Sequence, residues 1–194
     1  MNNSKSWKLN EIILMAMICI VFGVVYLGAV YLMSMVEAPL AFTGLTKLGT
    51  EIIFGIWLMA ATFAGYILQK PGAAILAEII ASVIEVLLGN WFGPMVIVAG
   101  IVQGLGAELV FGAFKYRKYD GNIMYLAAAG TAVTSFLWSF VRSGYLKFSI
   151  GVLIIYFIVR MISSLFFAGF ICKTVADSLK KAGLLKGYAL DKNA

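Results

Sequence analysis

Long apolar stretches alternate with short polar turns along the whole chain of 194 residues. Each stretch approaches or exceeds the roughly 20 residues that a helix needs to cross a bilayer. Glycine, proline and charged residues mark the breaks, as in Gln69-Lys70-Pro71-Gly72 and Gly89-Asn90-Trp91-Phe92-Gly93-Pro94. The pattern predicts six membrane-spanning helices, over residues 9–36, 51–68, 71–88, 95–114, 122–141 and 150–175.

The composition agrees with this interpretation, because 62% of the residues are hydrophobic, 12% are charged and the mean hydropathy is +0.98. A single soluble core could not bury so much apolar surface. The sequence therefore predicts an all-α integral membrane protein, a bundle of six transmembrane helices that forms one membrane domain over residues 1–194.

The basic residues predict the orientation of the chain, because cytoplasmic loops carry an excess of lysine and arginine. With a cytoplasmic N-terminus, the loop cations that fall outside are Lys47, Arg142 and Lys147. Those that fall inside are Lys5, Lys8, Lys70, Lys115, Arg117, Lys118, Lys173, Lys180, Lys181, Lys186 and Lys192. We therefore expect both termini to be cytoplasmic. The net charge of +6 follows from this topology and needs no nucleic-acid partner.

Two absences restrict the chemistry. The chain has no histidine and no GxxxxGK[ST] phosphate-binding loop. It therefore has no histidine triad and no HExxH zinc site, and it is not itself a P-loop ATPase. We predict a protein that is not an enzyme, with no catalytic residues, no metal site and no cofactor. Transport driven by ATP would need another subunit to supply the energy.

Three acids lie inside apolar stretches, namely Glu78, Glu85 and Glu108. An ionisable side chain within the bilayer usually faces the bundle interior or a wet cavity and handles a ligand, an ion or a proton. Glu85 falls near the outer end of its helix and Glu78 two turns deeper, whereas Glu108 falls toward the cytoplasm. Glu85 is therefore the strongest candidate for contact with a ligand from outside.

Complementary groups fall at similar outer depth in the neighbouring helices. The amide of Gln103 and the rings of Trp91, Trp138 and Tyr156, beside Glu85, suit a flat and partly cationic heterocycle. Secondary candidates are Glu37, Glu51, Glu108 and Arg160.

The secondary candidates also have structural interpretations. Arg160 is expected to pair with a buried acid, either Glu78 or Glu108, because pairing lowers the free-energy cost of insertion. Glu51 is expected to be a solvated acid at a helix start. Glu37 is expected in a loop, which also holds Pro39 and Gly44.

The arrangement of segments resembles a known family of transport proteins. The resemblance rests on the first outer loop with Glu37-Ala38-Pro39-Leu40, on Glu85-Val86-Leu87-Leu88-Gly89-Asn90-Trp91-Phe92-Gly93-Pro94, and on Gln103-Gly104-Leu105-Gly106-Ala107-Glu108. These blocks resemble the substrate-capture (S) components of energy-coupling-factor (ECF) transporters. Within them the chain is most similar to the YkoE-type thiamine and hydroxymethylpyrimidine group, over essentially its whole length.

The resemblance implies a multi-pass protein of a prokaryotic cell membrane that binds thiamine or its pyrimidine precursor with high affinity. It also implies two kinds of partner, a transmembrane coupling (T) subunit and cytoplasmic ATPase subunits. In such families the coupling subunit packs on small residues of the first helix, often two alanines four residues apart. Here Ile20 follows Ala16 at that spacing, so the expected docking surface is a stripe of Ala16, Cys19 and Gly23.

Two other functions remain open from the sequence. One is an S component for another vitamin, such as riboflavin or biotin, because the pocket can change while the fold is shared. The other is an autonomous small carrier or channel that uses the intramembrane glutamates for protons or cations. Such a protein would transport its solute without partners, whereas an S component would need them.

Overall fold

A computed structural model describes residues 6–43 and 46–192, and within these residues all regular structure is helical. The helices are α1 (Leu9–Leu40), α2 (Thr46–Ile53), α3 (Met59–Leu68), α4 (Ala73–Leu87), α5 (Met95–Ala113), α6 (Gly121–Arg142), α7 (Ile150–Ser164), α8 (Cys172–Lys181) and α9 (Ala189–Lys192). Short 3₁₀ helices cover Ala41–Thr43, Phe54–Leu58 and Tyr145–Lys147.

Two of the apolar segments are continuous but irregular. The 3₁₀ helix Phe54–Leu58 joins α2 to α3, and a π-helix, Leu165–Ile171, joins α7 to α8. The carbonyl of Ala168, in the π-helix, accepts a 2.8 Å hydrogen bond from the Thr62 hydroxyl, so the two irregular segments are joined to each other.

Five helical segments are long and apolar enough to cross a membrane, namely Leu9–Leu40, Thr46–Leu68, Met95–Ala113, Gly121–Arg142 and Ile150–Lys181. The remaining predicted segment, residues 71–88, corresponds to α4, which has 15 residues. It is shorter than the roughly 20 residues of a typical span, since the turns at Gly72 and Gly89 bound it on both sides.

The helix ends correct three predicted boundaries. The first helix continues through Glu37 and Pro39, because a proline in the last turn removes one backbone hydrogen bond without breaking the preceding turns. The second begins at residue 46 instead of 51, and the last ends at residue 181 instead of 175. Lys5 and Gly44 lie outside the described residues, so their predicted places are untested.

The two described ends of the chain meet. The hydroxyl of Tyr188 donates a 3.2 Å hydrogen bond to the carbonyl of Asn10, and Leu190 is buried in the same core as α1. We call this end of the bundle the terminal end. The opposite end, with the turns at residues 88–94 and 143–149, is the distal end.

Small residues bring α4 and α5 together. A Cβ atom on Gly100 would lie 2.3 Å from Oγ of Ser82, and one on Gly104 would lie 2.7 Å from Cα of Ile75. The two helices are antiparallel, since higher numbers on α5 meet lower numbers on α4. Gly100 and Gly104 therefore allow the close approach of the two helices.

The small-residue stripe on α1 faces a different partner from the one predicted. Cys19 is fully buried, and its thiol lies 3.7 Å from the carbonyl of Ala77 in α4. A Cβ on Gly23 would lie 2.5 Å from the side chain of Ile84. Of the three predicted docking residues only Ala16 is exposed, so Cys19 and Gly23 pack against α4 and leave no common surface for a partner.

Candidate ligand-binding site

Glu85 lies in the last turn of α4, at the distal end, and is fully buried. Its Oε1 atom accepts hydrogen bonds from Nδ2 of Asn90 at 2.9 Å and from Nε1 of Trp57 at 3.4 Å. The side-chain oxygen Oδ1 of Asn90 accepts a 2.6 Å hydrogen bond from the backbone N–H of Phe92, which fixes the amide. The turn after α4 therefore holds one side of the carboxylate in place.

The second oxygen of Glu85, Oε2, is buried and has no hydrogen-bond partner among the described residues. A buried polar atom without a partner costs about 1–3 kcal/mol, and most such atoms in proteins are satisfied. A ligand that brings a hydrogen-bond donor to Oε2 would recover this free energy. The carboxylate is thus held by one oxygen and available through the other.

Trp57, which the sequence did not single out, is the indole beside Glu85. It belongs to the 3₁₀ helix Phe54–Leu58 and is 8% exposed. Tryptophans in membrane proteins concentrate at the membrane interface. The position of Trp57 inside an apolar segment, away from its predicted ends, was therefore the feature of the sequence that could have marked it as a site residue.

A second buried polar group lies close to the 3₁₀ helix. Arg160 of α7 donates hydrogen bonds to Glu51 of α2, from Nε to Oε2 at 2.5 Å and from Nη2 to Oε1 at 2.7 Å. The hydroxyl of Tyr145 also donates to Oε1 of Glu51. Burial, together with the charge of Glu51, raises the pKa of Tyr145 above its ordinary value, so the phenol keeps its proton and remains a donor.

This arrangement corrects two predictions. Arg160 pairs with Glu51, not with Glu78 or Glu108. Glu51 is fully buried, not solvated, because α2 begins earlier than predicted and carries the acid into the bundle.

The ring of Phe54 connects the two polar groups. The guanidinium carbon of Arg160 lies 3.7 Å from the centre of the Phe54 ring, within the range of a cation–π contact. Phe54 and Trp57 have ring centres 6.0 Å apart. The order of contacts therefore runs from Arg160 through Phe54 and Trp57 to Glu85.

Two more buried polar atoms lack partners within the described residues, the hydroxyl of Tyr156 and Nε1 of Trp138. The Tyr156 ring packs against Tyr145 and Phe148, with centres 5.9 Å and 5.5 Å apart. These residues belong to α6, α7 and the turn between them. Together with Glu85 Oε2, they give three unsatisfied atoms on predicted site residues.

Gln103 and Trp91 have different environments. Gln103 is 7% exposed, so its side chain faces the bundle interior. Viewed along the axis of α5, it points between the side of Gly104, which packs on α4, and the side of Gly106, which packs on α6. Trp91 is 54% exposed, and its ring packs edge-on against Tyr31 at 5.5 Å. The ring of Trp91 therefore lies on the outer surface of the bundle, and Trp57 takes the place expected for it beside Glu85.

The remaining acids have structural partners. Glu78 accepts hydrogen bonds from the Tyr26 hydroxyl and the Ala61 N–H, both at 2.8 Å, and Glu37 accepts one from Thr50. Glu108 accepts from the N–H groups of Gly72 and Ala74 at 2.6 Å and 3.2 Å, so it caps the first turn of α4. These contacts explain why the chain tolerates Glu78 and Glu108 inside apolar segments without a ligand.

The described residues contain no cluster of three or more histidine, cysteine, aspartate or glutamate side chains that could hold a metal ion. Glu85, Tyr156, Trp138 and Gln103 offer a carboxylate oxygen, a phenol, an indole N–H and an amide. Such groups bind a planar ligand by hydrogen bonds and ring contacts.

Comparison with known proteins gives three matches. The family described as "ABC-type cobalt transport system, permease component" matches residues 10–134. The chain is 45% identical over 191 residues to a Bacillus subtilis (strain 168) protein named "Putative HMP/thiamine permease protein YkoE", and this covers 97% of the chain and 92% of that protein. It is also 44% identical to the protein of a structure titled "Crystal structure of an S-component of ECF transporter", with a TM-score of 0.90, over 96% of this chain and 92% of that one.

Proposed function

Since the chain belongs to the S components of ECF transporters, we propose that it binds thiamine or hydroxymethylpyrimidine at its distal end and supplies this ligand to an ATP-driven uptake complex. The name of the B. subtilis relative supports this choice of substrate. The distal end then faces outward and both termini are cytoplasmic, in agreement with the distribution of lysine and arginine.

The unpartnered Oε2 of Glu85 is the observation that carries the proposal. An aminopyrimidine has an exocyclic amine that donates hydrogen bonds, and a carboxylate oxygen is a strong acceptor for them. The negative charge of the carboxylate would also offset the positive charge of the thiazolium ring in intact thiamine. Asn90 and Trp57 keep the acceptor in place before the ligand arrives.

The other site residues have supporting roles in this proposal. Trp57 provides a ring face beside the carboxylate, Gln103 pairs with the edge of the pyrimidine, and Trp138 and Tyr156 enclose the ring planes with their free N–H and O–H groups. Trp91 remains a candidate on the outer surface above the site. The alternative roles of Glu37, Glu51, Glu108 and Arg160 as ligand contacts are less favoured, because each has partners within the protein.

Energy comes from other subunits in this proposal, since the sequence has no phosphate-binding loop for ATP. A transmembrane coupling subunit and two cytoplasmic ATPase subunits would complete the transporter.

We also propose that α4 crosses the membrane, which together with the five longer segments makes six crossings. Its 15 residues, at about 1.5 Å of rise per residue, are short for a full span, so the turn after Glu85 would lie within the outer part of the bilayer.

Calorimetric titration of the purified chain in detergent with thiamine, hydroxymethylpyrimidine, riboflavin and biotin tests the substrate. Saturable binding of thiamine or hydroxymethylpyrimidine at sub-micromolar concentration is expected. Binding of riboflavin or biotin instead would assign the chain to another S-component specificity.

Reconstitution into proteoliposomes tests the need for partners. The chain alone is expected to bind thiamine without accumulating it, and uptake should require the coupling and ATPase subunits with ATP. Transport of thiamine, protons or cations by the chain alone would contradict the proposal and favour an autonomous carrier or channel.

A further inference from the structure

The geometry points to Glu78 as a positioning residue for the proposed vitamin site. Its carboxylate fixes the junction at which the 3₁₀ helix Phe54–Leu58 continues into α3, and thereby the place of the Trp57 indole beside Glu85. This role rests on the proposed function, because the site that Glu78 serves is the one around Glu85.

Two backbone N–H groups at the junction have side chains as their acceptors. The first N–H groups of a helix find no acceptor within the helix itself. At the start of α3, the N–H of Ala60 donates to the Tyr26 hydroxyl at 2.9 Å, and the N–H of Ala61 donates to Oε2 of Glu78 at 2.8 Å. The Tyr26 hydroxyl in turn donates to Oε1 of Glu78 at 2.8 Å. Both oxygens of Glu78 are therefore engaged, and α1 and α4 together hold the start of α3.

Burial makes these contacts hard to replace. Tyr26, Ala60, Ala61 and Glu78 are each fully buried, and a backbone group left without a partner inside a membrane is costly. A carboxylate suits this place, because it accepts at both oxygens and its negative charge is favourable at a helix N-terminus. Glutamine has a single acceptor oxygen, so its NH₂ group would face either the Ala61 N–H or the Tyr26 hydroxyl.

The junction is connected to the candidate site through α4. Glu78 and Glu85 lie on the same face of α4, about two turns from each other. Glu78 holds the backbone just after the 3₁₀ helix, and Glu85 accepts from the indole nitrogen of Trp57 within it. The start of the 3₁₀ helix is held separately, by the hydrogen bond from the Gly55 N–H to Ser163. Loss of the Glu78 contact would therefore release the end of the 3₁₀ helix that carries Trp57 while the other end stays attached.

Acrylamide quenching of the ligand-free protein in detergent tests this role without a vitamin. The emission of Trp57 is obtained as the difference between each protein and the same protein with Trp57→Phe. The variant Glu78→Gln is expected to raise the quenching constant of Trp57 by about twofold or more, because the released junction opens locally and exposes the indole. Hydrogen exchange in the peptide that contains Ala60 and Ala61 should become faster in the same variant.

Two further variants make the comparison specific. Glu108→Gln is the matched control, because it also removes an acid from the first turn of a helix, in this case α4, and it should leave the quenching of Trp57 unchanged. Tyr26→Phe removes the acceptor of the Ala60 N–H from the side of α1, and it should change the quenching of Trp57 in the same direction as Glu78→Gln. Either of the two junction variants suffices if the other does not fold.

Thiamine affinity in a double-variant cycle tests whether Glu78 acts through Trp57. Glu78→Gln alone should weaken binding by about fivefold or more, which lies within the range of coupling between residues of one network. In the Trp57→Phe background the same change should weaken binding by less than about twofold, because the side chain that Glu78 positions is already absent.

Unchanged quenching of Trp57 and unchanged exchange at Ala60 and Ala61, in both Glu78→Gln and Tyr26→Phe, would overturn this role. Equal losses of affinity in the two backgrounds would also overturn it, because Glu78 would then support the fold without positioning Trp57. A failure of the proposed function has a different signature. The unmodified chain would bind neither thiamine nor hydroxymethylpyrimidine, and the ligand-free quenching would still decide whether Glu78 holds Trp57 in place.

Discussion

The indole nitrogen of Trp57 lies 3.4 Å from Oε1 of Glu85, and both side chains are buried. This contact joins the irregular part of the second apolar segment to the end of α4. The 3₁₀ helix is held from the other side by α7, where the backbone N–H of Gly55 donates a 2.9 Å hydrogen bond to the hydroxyl of Ser163. The position of the Glu85 carboxylate therefore depends on packing across three parts of the chain.

Trp57 should report ligand binding through its fluorescence. Its ring lies beside the proposed ligand position, so a bound aminopyrimidine would quench its emission. The variant Trp57→Phe is expected to lose more of the thiamine-dependent quenching than Trp7→Phe. Trp7 provides the control, because it contacts Lys70 at the terminal end. Equal losses in the two variants would place the ligand away from Trp57.

The buried pair of Arg160 and Glu51 should be sensitive to removal of either partner. The variant Arg160→Met leaves the Glu51 carboxylate buried without its cation, which typically costs about 3–5 kcal/mol of unfolding free energy. Adding Glu51→Gln to it should restore part of the loss. Chemical unfolding in detergent of both single variants and the double variant measures the coupling.

An exposed ion pair supplies the control for this experiment. The Lys173 and Asp177 side chains are 31% and 30% exposed, and such pairs contribute about 0–1 kcal/mol. The variant Lys173→Met should therefore unfold at nearly the same denaturant concentration as the unmodified chain. Strictly additive effects at Arg160 and Glu51 would show that the two side chains are not coupled.

Gly106 should not tolerate even a methyl group. A Cβ atom there would lie 2.6 Å from the carbonyl oxygen of Gly130 on α6, which is backbone and cannot rotate away. We expect Gly106→Ala to lower the unfolding free energy by about 1–3 kcal/mol, because the two helices must separate. Gly28→Ala is the matched control, since no atom beyond its chain neighbours and the backbone of its own helix lies within 4 Å of its Cβ position, and an unchanged or higher stability is expected.

Glu108 accepts hydrogen bonds from the first turn of α4 and from Tyr116, so its replacement should change the pKa of Tyr116. Burial and the neighbouring Glu108 carboxylate raise the pKa of Tyr116 to about 12. Replacing the acid removes both the charge and the acceptor of the Tyr116 hydroxyl, 2.8 Å away, so Glu108→Gln should lower this pKa toward its ordinary value. Absorbance titration above pH 9 measures the change, with Tyr116→Phe to identify the signal. An unchanged titration would contradict the contact.

The helical segments could be predicted from the sequence because each is a continuous apolar run between turn residues. The helix ends were less predictable. Pro39 was expected to lie in a loop, but a proline is also tolerated in the last turn of a helix, where α1 holds it. The break at Phe54–Leu58 was missed for a related reason. It interrupts an apolar run without a polar residue, and only Gly55 at its start marks the close approach of α7.

The burial of Glu85 could also be predicted, because its depth follows from its distance to the turn at residues 89–94. The hydrogen-bond and ion-pair partners of the acids could not be predicted from the sequence. Glu51 and Arg160 are 109 residues apart in the chain, and their contact depends on how α2 packs against α7. The facing of Cys19 and Gly23 likewise depends on which neighbour α1 meets, which a single helix cannot specify.

The affinity of the Glu85→Gln variant for thiamine and hydroxymethylpyrimidine, measured by calorimetry beside the unmodified chain, tests the proposed site most directly. Hydrogen bonds to a charged group contribute about 1.5–3 kcal/mol, so affinity should fall by about tenfold or more while the variant remains folded. Glu108→Gln, at the opposite end of the bundle, should bind both ligands like the unmodified chain. Full affinity in Glu85→Gln would contradict the assignment of Glu85 as the ligand-binding carboxylate.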